Sequence, residues 1–128
     1  MGMYTELIFG VKLKKDTPEN VINTLKYMTG LISEIPKDYQ WEIHKRNPLL
    51  GGSYYFAISN PSPNMSFDKI SNEWQVNTRG NIKNYENEIE DFLKWIKPFI
   101  SQGSGYKEMY AITIYEEANE PTIYYLND

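Results

Sequence analysis

Apolar and polar residues alternate from the first turn of the chain onward. Over residues 3–14, Thr5, Leu7, Phe9, Val11 and Leu13 share one side. Glu6, Lys12 and Lys14 share the other with Tyr4, Ile8 and Gly10. A period of two with branched and aromatic side chains predicts a strand. The period then changes. Asp16 or Thr17 can cap a helix, Pro18 suits its first turn, and Glu19 completes a box-like pattern with Asp16. Val21, Ile22, Leu25 and Met28 form one face, and Gly30 is the expected stop. Leu31, Ile32 and Ile35 are too apolar for a free linker, so they are expected to fold back onto the core before Pro36.

The middle of the chain predicts two further strands. Tyr39, Trp41 and Ile43 alternate with Gln40, Glu42 and His44, and residues 52–59 set Tyr54, Phe56 and Ile58 against Tyr55 and Ala57. Residues 45–52 and the NPSPN run at 60–64 read as loops, and 66–71 as a connector. The clearest unit follows at 73–100. Trp74, Val76 and Thr78 alternate with Gln75, Asn77 and Arg79, and Gly80 with Asn81 is the expected turn. A helix is then expected from about Asn84, with Asn84 as its cap and Glu86, Glu88, Glu90 and Asp91 where the helix dipole favours negative charge. Tyr85, Ile89, Phe92, Leu93 and Ile96 draw its apolar stripe, and Pro98 ends it. Residues 106–116 and 121–126 read as closing strands, Tyr110, Ile112 and Ile114 lying on one side of the first, opposite Met109, Ala111, Thr113 and Tyr115. Several connections between strands are too short for parallel crossovers. The pattern therefore predicts an α+β fold: a two-layer sandwich, a mostly antiparallel sheet of five to six strands with two helices on one face, formed by residues 1–128 as a single domain.

Composition narrows the function. The chain has no cysteine, which excludes disulfides, thiolate metal sites and cysteine nucleophiles and fits a reducing compartment. No basic apolar leader and no membrane-length apolar run occur in its 128 residues, so a cytoplasmic protein without membrane contact is expected. The net charge is −4, with 7 basic and 6 acidic residues over 1–64 but 6 and 11 over 65–128. Nucleic acid prefers the opposite sign. Aromatic residues make 15% of the chain, 11 of them tyrosines, a density that suits a packed sheet or an adhesive surface.

Candidate chemistry is sparse. His44, the single histidine, pairs with Glu42 as a possible acid–base couple, or else is an exposed residue beside Lys45 and Arg46. The glutamates of the second helix spread over different faces, a solvated face rather than a metal site, so neither metal nor cofactor is expected. Arg79 precedes the expected turn and helix start. With Asn81 and the turn amides it forms a candidate site for a small anion, weighed against a plain ion pair with Glu86 or Glu73. Tyr55, Tyr115 and Tyr124 fall opposite the most apolar residues of their strands, and with Trp41 they form a candidate interaction surface, weighed against cross-strand pairing within the sheet.

YTELIFGVKLK at 4–14, SYYF at 53–56, TRGNIKNYENEIEDFLKWIKPF at 78–99 and EPTIYY at 120–125 together resemble a group of small uncharacterised bacterial proteins of about this length. The resemblance spans most of the chain and implies one compact unit. It implies no catalytic residues. The reading that results is a non-enzymatic interaction protein, inhibitor- or immunity-like, acting on a protein partner or on a second copy of itself. The alternative is a binder of a small anion at Arg79, and an enzyme with a site gathered from distant segments is the third.

Overall fold

The structure is a computed structural model that describes residues 3–41, 46–50, 64–103 and 108–127. Along the chain these form β1 (Thr5–Lys12), α1 (Glu19–Met28), β2 (Asn64–Asp68), β3 (Glu73–Ile82), α2 (Glu88–Ile96) with a 3-10 turn at Lys97–Phe99, β4 (Met109–Tyr115) and β5 (Thr122–Tyr125). All strand pairs are antiparallel, in the order β2-β3-β1-β4-β5. The α+β class follows directly from the sequence pattern.

β1 is central, its backbone paired with β3 along one edge and β4 along the other. Its register sets the two faces. Leu7 lies opposite Gly80 and Thr113, and Phe9 opposite Thr78 and Ala111. On the other face Ile8 lies between Arg79 and Ile112, and Gly10 faces Asn77. The Phe9 face meets the helices: the ring of Phe9 meets Phe92 of α2 edge-on at 5.3 Å, and Lys26 of α1 lies 4.9 Å from the Trp74 ring. Leu7, Leu25, Met28, Ile89 and Ile96 are fully buried in the same core.

Local chemistry explains the element ends. Gly30 stops α1 with φ of 80°, a left-handed conformation that glycine adopts without strain. Asp68 closes the β2–β3 hairpin, accepting the Ile70 N–H at 2.9 Å, while Asn72 takes φ of 59°. α2 starts at Glu88, behind Asn87 at φ 60°. Asn84 nonetheless does the capping work expected of it: its Oδ1 accepts the Ile89 N–H at 2.9 Å. At α1, Pro18 occupies the cap position and no side chain bonds the first turn. Thr17 Oγ1 instead donates to the Lys14 carbonyl at 2.6 Å.

Five expectations are corrected. Leu31 and Ile35 do not fold back onto the core; both are exposed. Gly80 and Asn81 are not a turn; β3 runs through both to Ile82, because Gly80 fits against Leu7 and pairing with β1 continues to its end. Tyr85 precedes α2 and is 57% exposed, so it is outside the helix stripe. Residues 64–68 form β2, held by Phe67 against Trp74 at 5.4 Å, where a loop end and a connector were expected. Tyr39 and Trp41 lie outside any strand, Tyr39 stacking edge-on against Tyr27 at 5.2 Å. The strand expected at 52–59 is outside the described residues.

Candidate functional site

A groove of about 450 Å³ opens on the Phe9 face where β1, β4 and β5 run beside the start of α2. Its floor comes from the strand register. Thr5 pairs with Tyr115, and Thr113 pairs with Thr122. Threonine suits a strand yet is short, so three of them leave a depression where leucines would have filled it. Tyr115 and Tyr124 stand at its sides, and the segment leading into α2 closes it with Asn84, Tyr85 and Glu90. Tyr124 is fixed by Tyr110, whose ring lies 6.2 Å away. Tyr115 is 40% exposed and its hydroxyl points to Glu117 at 3.4 Å.

The groove is electronegative. Asn84 Nδ2 donates to Glu90 Oε1 at 2.6 Å, which orients that carboxylate, and Glu120 lies on the rim. Partial burial, then the charges of Glu117 and Glu116 and the neighbouring Tyr85, push the Tyr115 phenol above its ordinary value of 10.0. Tyr85 already carries a cation, since the Arg46 guanidinium rests 5.2 Å from its ring centre. No lysine or arginine is among the described residues lining the groove.

The structure thus brings Tyr115 and Tyr124 together, but on the face that carries Leu7 and Phe9 rather than on the opposite one. The reason is register: Ala111 and Thr113 of β4, less apolar than Ile112 and Ile114, are the residues in line with Leu7 and Phe9. Trp41 is not a surface residue. It is buried, edge-on to Phe92 at 6.1 Å, and its indole N–H donates to the Arg46 carbonyl at 3.3 Å. Tyr55 and His44 are outside the described residues.

The turn amides expected to complete an anion site with Arg79 and Asn81 are not there, because Gly80 and Asn81 lie within β3. Asn81 is buried within β3. Arg79 pairs through Nε with the buried carboxylate of Glu6, a partner from β1 rather than Glu86 or Glu73. Arg46 pairs with Glu88 at 3.0 Å. Among the described residues no group of three His, Asp or Glu side chains is placed to hold a metal ion, and no helix is long and apolar enough to cross a membrane.

Tyr85 and the floor threonines are the site residues that the sequence concealed. Their one signal is a threonine at a strand position whose neighbours on the same face are apolar, as at Thr5 beside Leu7 and Phe9. No protein-family model matches this chain, and no curated protein or solved structure does so either.

Proposed function

We propose that this chain is a non-enzymatic, cytosolic interaction protein that receives a basic side chain of a partner protein in the tyrosine groove. One observation carries the reading: three tyrosines and the carboxylates of Glu90 and Glu120 converge on a groove whose described lining residues include no basic side chain. Tyrosine faces attract ammonium and guanidinium groups, and nearby carboxylates add to that attraction. Tyrosine is also a residue in which interfaces concentrate their binding energy. The net charge of −4 favours a basic partner surface and disfavours nucleic acid.

The experiment is capture of partners from cell lysate on the tagged chain, followed by elution with a short lysine- and arginine-containing peptide. The expected result is a partner released by the basic peptide, retained against a glutamate-containing one, and absent when the bait carries Tyr115→Ser with Tyr124→Ser or Glu90→Gln. A partner retained equally by these folded variants, or release independent of peptide charge, overturns the reading. Capture of a second copy of the chain itself, released in the same way, identifies the partner as self.

A further inference from the structure

The other face of the sheet carries a second hollow, of about 460 Å³, that the tyrosine groove does not share. The register builds it. Ile8 of β1 lies between Ile112 of β4 and Arg79 of β3, and in the next row Gly10 faces Asn77. The Asn77 amide lies over Gly10, where an added Cβ would stand 2.8 Å from its Oδ1, so the floor of the hollow beside the isoleucines is formed by that amide. The walls are the isoleucines, and the polar end is Arg79.

Arg79 is held at that end by Glu6. The Glu6 side chain is 2% exposed and takes the Nε edge of the guanidinium, while 41% of the Arg79 side chain faces out. A guanidinium has five N–H donors in one plane, so engaging Nε leaves those on the Nη atoms for a second acceptor. A carboxylate matches their spacing. Glu6 already balances the single positive charge of Arg79, so a bound carboxylate leaves the site with one net negative charge and a dianion such as phosphate with two, and the monoanion is the less costly. The isoleucines beside the guanidinium lower the local dielectric, which strengthens a contact that would be weak on an open surface.

We infer that the hollow between Ile8, Ile112, Gly10 and Arg79 binds a small monocarboxylate with an unbranched apolar chain, its carboxylate on the outer edge of Arg79 and its chain along the isoleucines.

The test is a titration followed in amide proton–nitrogen correlation spectra, with octanoate, butyrate and octanol as probes. Octanoate is expected to give saturable shifts centred on Gly10, Asn77, Arg79 and Ile112. Octanol, which lacks the charge, and butyrate, which is four methylenes shorter, are each expected to bind at least about tenfold more weakly, the loss that one charge-assisted hydrogen bond or about two of those four methylenes produce. Changing Arg79 alone strands a buried carboxylate, so the variant is the neutral pair Glu6→Gln with Arg79→Gln, whose own spectrum reports its folding. It is expected to lose the preference for octanoate over octanol. Gly10→Val displaces the Asn77 amide that covers Gly10 into the hollow and is expected to weaken binding of both. Equal affinity for octanoate and octanol in the unaltered chain, or no saturation by octanoate, overturns the inference.

Discussion

Nη1 of Arg46 lies 3.0 Å from Oε2 of Glu88, joining a partly exposed cation to a carboxylate that has no exposed surface. The pair fastens residues 46–50 to the first turn of α2. The same short segment is fixed three times more: Thr78 Oγ1 donates to the Leu49 carbonyl at 2.9 Å, Asn47 Nδ2 to the Met28 carbonyl at 2.8 Å, and the Trp41 indole N–H to the Arg46 carbonyl at 3.3 Å. Arg46→Ala leaves Glu88 buried without its cation and is expected to cost about 1–3 kcal/mol in denaturant unfolding.

That pair also sets an acid limit. Burial pushes the Glu88 carboxyl up, but the Glu86 N–H and the Arg46 guanidinium together outweigh it and hold the group below its ordinary value of 4.5. A carboxylate held low contributes stability that is present above 4.5 and is lost as pH falls through the folded-state value. Glu88→Gln is expected to be less stable at neutral pH and to lose stability less steeply than the unaltered chain below that point. Parallel unfolding curves for the two proteins across acid pH would remove Glu88 from the account.

Phe92 is the aromatic centre of the core, with Phe9 at 5.3 Å, Trp95 at 5.9 Å and Trp41 at 6.1 Å. Phe92→Ala is expected to cost about 3–5 kcal/mol, the usual loss for a buried ring. Tyr85→Ala, from the same expected stripe, removes an exposed ring and its contact with Arg46, and is expected to cost under about 1 kcal/mol. Thermal unfolding of the two variants side by side separates them.

Asn84 holds both the first turn of α2 and one edge of the tyrosine groove. Asn84→Ala frees the Ile89 N–H and the Glu90 carboxylate, and is expected to cost about 0.5–2 kcal/mol of stability. Because Glu90 also loses its orientation, capture of a basic partner should weaken in this variant at temperatures where it is fully folded. Unchanged capture would detach the groove from its proposed use.

Burial, with the neighbouring Tyr27, raises the Tyr39 phenol from 10.0 to about 12. The sign is opposite to that of Glu88. The stability it contributes is complete below 10.0 and is lost as pH rises toward about 12. Tyr39→Phe is expected to remove a late step from the ultraviolet titration of the tyrosines and to flatten the alkaline loss of stability.

Much of the fold was legible. The alternation of β1, the α1 face ending at Gly30, and Ile89, Phe92, Leu93 and Ile96 of α2 all stand where their periods place them. These signals are local, so sequence carries them. What failed was decided by distant partners. Gly80 reads as a break until Leu7 lies across from it. Ile112 and Ile114 read as core until β1 sets Ala111 and Thr113 in line with Phe9 and Leu7. Glu6 and Arg79 are 73 residues apart, and neither announces the other. The groove was half legible for the same reason: Tyr115 and Tyr124 stood out as residues, whereas the floor between them exists only through strand register.

The central place of β1 has a consequence for how the chain is made. β1 leaves the ribosome before the other strands of the sheet, and both its neighbours, β3 and β4, are synthesised long after it. The hairpin of β2 with β3 and the antiparallel pair of β4 with β5 join near neighbours in the chain. The sheet closes only when β1 is captured between these two late-formed pairs, so its assembly is governed by long-range contacts and is correspondingly slow. Until then Leu7, Phe9 and Val11 lack their cross-strand neighbours on the nascent chain.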